Sequence, residues 1–420
     1  MFIIKGILFR HIFIQINTSL SSTSPNLGFF NIVIGNPPYV FTRDTDFSNE
    51  FKNYIFNNYF SLISNNKRTK GNQSGKINLF AIFILKGIIL CKINGYLSFI
   101  IPNNILRTTI YDSIRMFILN NTSINELVDL GSGIFKNVTA STIIMQLSNI
   151  SNNDNLCKII TNIIDLKCNK YDITLIEQKQ FKNNVSHNFN IFANSIVINL
   201  INKIKNQKYF LGDFCIDIIE GIVAHKQLIS IKKFKNSQEL VEGKTIRKYG
   251  IKNISKYILW DKSKIHRTRP DYLWSAKKKI IIQRISGGAN PLTAALDTKK
   301  YKTFASVNNL ILREEYSDMY EVILALINSK ILNWYYANNF SNNSKLTVNI
   351  SKTYLEKLPI PHISSEQKKL IKNIVCKIIN VMEDNENNDI SDLENEINLI
   401  IYKIFGLTFD EVSIIENKKK

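Results

Sequence analysis

Phe29-Phe30-Asn31-Ile32-Val33-Ile34-Gly35-Asn36-Pro37-Pro38-Tyr39-Val40 is the stretch on which the reading of this chain turns. Phe29 to Gly35 is a short apolar run rich in β-branched residues, as expected of a strand inside a parallel sheet covered on both faces. Asn36 breaks it, two prolines fix the backbone, and an aromatic ring follows. That combination can hold a flat base bearing an amine. The exocyclic nitrogen of adenine is a poor nucleophile because its lone pair is delocalised into the ring. The Asn36 side-chain oxygen and the Pro37 carbonyl can accept its two N–H bonds and draw it toward tetrahedral geometry, with the acceptors pre-organised by proline. Tyr39 offers a stacking face for a base swung out of a duplex. The place is suitable too, since ligands bind beyond the carboxyl ends of parallel strands. The plainer alternative is a Pro-Pro turn that only ends a strand.

Working outward, residues 42–75 read as a long surface loop with one helix near 50–62. A helix is expected over 78–92. Gly95 then turns the chain into a strand over 96–101, closed by Pro102. Residues 110–120 read as a helix, and 127–130 and 142–147 as strands. Strands alternating with helices give an α/β sheet of the doubly wound kind. Beyond the Asn/Ser-rich stretch 149–155, residues 210–361 mix short strands and turns, with a strand at 279–283 and a helix over 321–336. The tail carries two amphipathic helices, the first with Ser364 and Gln367 as a capping box.

The chain has 420 residues, 45% of them hydrophobic, and a formal charge of +20. Between Lys226 and Lys302, 20 Lys and Arg face 5 acids, so +15 of the total lies in one segment. So large a balance implies a polyanionic partner, with nucleic acid ahead of a membrane surface. Tyr249, Tyr257, Trp260, Tyr272 and Trp274 stand among these cations. Arg267, Arg269, Lys277, Lys278 and Lys279 are candidate phosphate contacts, and Arg284 a candidate reader of a base edge. The five cysteines are scattered without a Cys-x-x-Cys pair, which reads as a reduced, cytoplasmic chain. No His/Cys cluster has zinc spacing, so no metal is expected. The apolar stretches 1–16 and 79–101 are interrupted by charges, and no membrane span is expected.

Asn31-Ile32-Val33-Ile34-Gly35-Asn36-Pro37-Pro38-Tyr39-Val40 resembles the catalytic motif of adenine-N6 DNA methyltransferases with a TaqI-like C-terminal specificity domain, found in type II and type IIG restriction–modification. Asn78-Leu79-Phe80-Ala81 and Gly95-Tyr96-Leu97-Ser98-Phe99-Ile100-Ile101-Pro102 resemble the family's next helix and strand. Ile134-Phe135 ahead of Ser141-Thr142-Ile143-Ile144-Met145 is similar to the segment whose aromatic contacts the flipped base, which assigns that role to Phe135. Ile281 to Ile285 with Gly287-Gly288, Phe304 to Leu310, Ala325 to Lys330 with Trp334-Tyr335-Tyr336, and Leu358 to Pro361 resemble the specificity domain.

The resemblance implies methyl transfer from S-adenosylmethionine to N6 of adenine in double-stranded DNA. Asn36, Pro37, Pro38 and Tyr39 would be catalytic, and Tyr39 and Phe135 would stack on the target base. The implied fold is a partial doubly wound methyltransferase sheet, a mixed α/β DNA-recognition domain and a helical tail. The expected boundaries are 1–28, an N-terminal segment; 29–205, the partial catalytic domain; 206–362, target recognition; and 363–420, C-terminal helices. In this family a glycine-rich cofactor loop lies well upstream of the catalytic motif, and residues 1–25 hold none. Asn31 also stands where the family has an acid. The chain is therefore expected to be the C-terminal part of a longer enzyme, or to act with a second chain carrying the cofactor loop or a nuclease. Asp129-Leu130-Gly131-Ser132-Gly133 is a rival cofactor loop, set against a plain strand-turn. The alternative function is a catalytically silent DNA-binding specificity module.

Overall fold

The computed structural model describes residues 28–41, 48–63, 78–134, 141–152, 154–165, 170–192, 195–287, 290–340, 347–385 and 388–416. The chain divides into two compact units, Met1–Ile191 and Phe192–Lys420.

The first unit is built on a six-stranded sheet in the order β1-β2-β4-β3-β5-β6. Its strands are β1 (Phe30–Gly35), β2 (Cys91–Pro102), β3 (Ser123–Gly131), β4 (Thr142–Ser148), β5 (Leu156–Asp165) and β6 (Lys170–Glu177). β1, β2, β3 and β5 run one way, and β4 and β6 run against them. The helices are α1 (Asn49–Ile55), α2 (Leu79–Leu90) and α3 (Asp112–Asn121). Apolar on every side, α2 is buried along most of its length, as a helix enclosed by its neighbours must be. It rests on β1 and β2 where two glycines admit it. A Cβ at Gly87 would come within 2.6 Å of Leu97 and 3.1 Å of Phe99, and one at Gly35 within 3.0 Å of Phe99. Phe99 thus lies wedged between helix and strand. In α3, the wholly buried Arg115 is held by main-chain oxygens, those of Ile105 at 2.7 Å, Thr108 at 3.0 Å and Ser186 at 2.6 Å.

Two features depart from expectation. β1 was expected to be covered on both faces, yet among the described residues it pairs with β2 alone. Its Phe30, Ile32 and Ile34 are 53%, 60% and 77% exposed, with Tyr96 beside them on β2. The β5–β6 hairpin, which the sequence did not announce, forms the opposite edge and leaves Ile164, Ile173 and Leu175 exposed.

In the second unit, α4 (Ser195–Lys205) is followed by an antiparallel sheet in the order β10-β9-β11-β7. These strands are β7 (Cys215–Glu220), β9 (Lys279–Gln283), β10 (Ala294–Asp297) and β11 (Val307–Leu312), while β8 (Ile265–Arg267) pairs with Val223–Ala224 beside it. β11 is buried throughout, and α5 (Tyr320–Asn328), also wholly buried, packs on β10 and β9. The helix expected over 321–336 is really two. Ser329 takes an extended conformation (φ −66°, ψ 152°), caps the next turn, and starts α6 (Lys330–Asn339). The tail holds α7 (Ser365–Asp384), with the Ser364/Gln367 capping box, then α8 (Ser391–Ile404) and an unforeseen α9 (Phe409–Ile415). α7 packs on α5, and α4, α8 and α9 on α6. Among the described residues no helix is long and apolar enough to cross a membrane.

Candidate functional site

The loop Asn36–Val40 leaves the carboxyl end of β1 and crosses that of β2. Three contacts fix its course. The Tyr39 hydroxyl donates to the Ile100 carbonyl at 2.9 Å, the Leu79 amide donates to the Val40 carbonyl at 2.8 Å, and Phe41 forms a bridge with Asn78. Asn78 also caps α2, its Oδ1 accepting from the Phe80 amide at 3.3 Å. The tetrapeptide is thereby tied to a strand end and a helix start at once. Pro37 is buried, Asn36 and Pro38 are exposed, and Tyr39 is half-buried. Among the described residues the Asn36 amide has no hydrogen-bond partner, so its oxygen is available as an acceptor. The Tyr39 ring meets Phe80 edge-on at 6.4 Å, and Phe80 in turn packs against Tyr111 at 5.3 Å. Burial pushes the Tyr39 phenol up to about 12, so it stays protonated and keeps its tether. The sequence did not single out Ile100, Phe80 or Tyr111, because nothing local marks a carbonyl or ring that the fold brings in. Phe135 lies outside the described residues.

The segment Asp129–Gly133 is a strand end and a turn in the described residues. β3 ends at Gly131, the chain turns through Gly133 at φ +84°, and no helix opens in the described residues before β4. Both glycines hold positive φ, and a Cβ at either would meet nothing within 4 Å. A methyl-donor site is not assembled from the described residues.

The six candidate cations of the second unit fall into different settings. Arg267, Arg269 and Arg284 converge on one carboxylate that the sequence reading passed over. Glu220, at the end of β7, lies 4.0 Å from Arg267, 3.4 Å from Arg269 and 3.1 Å from Arg284. The Arg269 Nε donates to the Gly221 carbonyl at 3.1 Å and the Arg284 Nη1 to the Ala305 carbonyl at 2.9 Å. Burial and the two neighbouring guanidiniums lower the Arg269 pKa, against the pull of Glu220. No local signal points to Glu220, whose partners lie 47 to 64 positions further along the chain. Lys277 is exposed.

Lys279 requires correction, whereas Lys278 keeps a partly exposed side chain. Lys278 is bonded to Glu321 at 2.6 Å. Lys279 is 1% exposed, 3.1 Å from Asp297 and bonded to the Tyr301 carbonyl at 2.8 Å. An ammonium so enclosed is a core ion pair and does not reach a phosphate. Several of the interspersed aromatics are likewise structural. Tyr249 and Trp274 are buried, and Lys302 lies 4.2 Å over Trp260 and 4.9 Å over Trp274. Among the described residues no group of three His, Cys, Asp or Glu could hold a metal ion.

Residues 7–135 match the family described as Eco57I restriction-modification methylase, and residues 238–360 match the TaqI-like C-terminal specificity domain. The type II methyltransferase M.HincII of Haemophilus influenzae is 29% identical over 164 residues, which are 39% of this chain and 29% of that protein. The type II restriction enzyme and methyltransferase RM.Eco57I of Escherichia coli is 28% identical over 127 residues, 30% of this chain and 12% of that protein. The chain thus spans well under two thirds of the length of these relatives. Among solved structures, the type IIL restriction-modification enzyme MmeI in complex with DNA is similar in fold. Its TM-score is 0.61 at 11% identity, over 92% of this chain and 56% of that one.

Proposed function

This chain joins an Eco57I-type restriction–modification methylase segment to a TaqI-like C-terminal specificity domain, and from that premise we propose that it is the catalytic-loop and target-reading part of an adenine-N6 DNA methyltransferase. One observation carries the reading: Asn36-Pro37-Pro38-Tyr39 is pinned at the carboxyl ends of two parallel strands with the Asn36 amide exposed. An adenine turned out of the duplex lays its ring on Tyr39, with Phe135 as the second face. Its amine donates to the Asn36 Oδ1 and the Pro37 carbonyl, and both N–H bonds are engaged before the nitrogen reacts. Pro38 stiffens the loop. No side chain is made covalent and no metal is required by this chemistry. The basic second unit draws in the duplex and selects the sequence.

The methyl donor of this reading is S-adenosylmethionine. No step is assigned through it, because no donor site is described among the residues of the structure. Among the described residues β1 pairs with β2 alone and its Phe30, Ile32 and Ile34 side chains are exposed, which leaves room for a further segment of the same or another chain.

The test is to incubate the purified chain with S-adenosylmethionine and adenine-rich duplex DNA, and to assay N6-methyladenine by mass spectrometry. Methylation is expected, lost on Asn36→Ala, either from the chain alone or once the donor-binding segment is supplied. Salt-sensitive DNA binding that is unchanged by Asn36→Ala, with no methylation in either case, favours the second reading. That reading is a catalytically silent specificity module.

A further inference from the structure

The arginine cluster around Glu220 has a composition that a phosphate-binding site would not use. It holds three guanidiniums and no lysine, with a carboxylate at the centre. The side chains of Arg267, Arg269, Arg284 and Glu220 are 47%, 20%, 22% and 34% exposed, so all four reach solvent from one surface. A phosphate gains from the cations and is repelled by the carboxylate. The major-groove edge of a G·C pair needs both: guanine offers the acceptors O6 and N7, and cytosine beside it offers an N4 donor. Guanidinium forks match the first two and a carboxylate matches the third.

The backbone supports a built site. Arg269 holds φ +65°, a region rarely occupied by a non-glycine residue, and does so directly before Pro270. Conformations of this kind persist where the surroundings over-determine them, and they gather at ligand sites. The anchoring bonds from Arg269 to Gly221 and from Arg284 to Ala305 leave further N–H groups on each fork. Arg267, 4.0 Å from Glu220, is the least engaged of the three. Base contacts can replace these part-buried ion pairs because they offer the same forks and carboxylate charge-assisted partners in return.

We propose that Glu220 with Arg267, Arg269 and Arg284 reads a G·C base pair in duplex DNA, the arginines taking guanine and the glutamate taking cytosine. Before DNA arrives, Glu220 holds the forks apart and oriented. The proposal rests on the DNA-binding reading above and goes beyond it in naming the base pair and the carboxylate that reads it.

The experiment selects duplexes with a randomised core on the full chain and sequences the bound pool. Wild type is expected to fix at least one G·C position. Glu220→Gln and Arg284→Lys each keep shape or charge but lose one base contact, and both should relax that same position by about tenfold to a hundredfold. Lys277→Ala should weaken binding evenly and leave the motif intact. Circular dichroism melting confirms that each variant is folded. If both variants keep the wild-type motif, or lose affinity equally for every sequence, the base-pair proposal is overturned while DNA binding stands. Wild-type binding without any fixed G·C position overturns it as well. If wild type shows no salt-sensitive duplex binding, both readings fall together.

Discussion

Tyr39 has two parts to be told apart, a ring proposed to meet a base and a hydroxyl that ties the ring to Ile100. The two separate by substitution. Tyr39→Ala should remove stacking of about 1–3 kcal/mol, roughly tenfold to a hundredfold in affinity for duplexes carrying an unpaired adenine. Tyr39→Phe keeps the ring and loses only the tether, so its loss should be smaller than that of Tyr39→Ala in the same titration. Lys302 gives a second prediction at this scale. Its burial over Trp260 and Trp274 lowers its pKa from 10.5 to about 8. Below about pH 8 the folded state carries the full penalty of a buried charge. Between about 8 and 10.5 the unfolded chain binds more protons than the folded one, so this contribution rises with pH. The stability gap between wild type and Lys302→Met, measured by urea unfolding, should shift in favour of wild type from pH 7 to pH 10. Opposite movement would show that the cation contacts outweigh burial. The place of Asn36 to Tyr39 at a strand end was legible in the sequence, because two prolines stop the apolar run locally. Lys279 was not, because a lysine triplet reads as solvated until the fold sets Asp297 beside it.

At the scale of elements, α2 is the hinge between core and loop. Its N-cap Asn78 also bridges to Phe41, so one residue both starts the helix and stops the catalytic loop. Asn78→Ala should cost about 0.5–2 kcal/mol of unfolding free energy and also weaken adenine-dependent binding, whereas Asn78→Asp keeps a capping acceptor and should cost less. Equal losses in chemical denaturation would argue against the cap. Signals confined to one turn were readable in advance: the Ser364/Gln367 box, the strand Lys279–Gln283 and the Asn78 start. Ser329 was not read as a break, because the apolar run passes straight through it and its cap bond to Leu332 exists only once the two helices part. The β5–β6 hairpin went unread because its apolar residues are spread over both faces of a short two-stranded edge.

For the whole molecule, the charge of +20 foretold a polyanion but not where it would bind. Three of the six chosen cations converge, and the carboxylate that organises them lies far away in the sequence. The division into two units was also hidden, since α4 and the tail helices join the second unit through contacts that no linker composition marks. Within Met1–Ile191 the sheet presents apolar side chains at both edges, β1 and β6. The purified chain should therefore self-associate as its concentration rises, and Ile32→Lys with Ile34→Lys should suppress this in sedimentation velocity; unchanged association would place the contact elsewhere. The two edges are different surfaces, so a contact of one with the other is heterologous, and it builds a ring where its rotation closes and an open filament where it does not. In either case a polypeptide seated on β1 would act as a terminator, setting particle size by its stoichiometry.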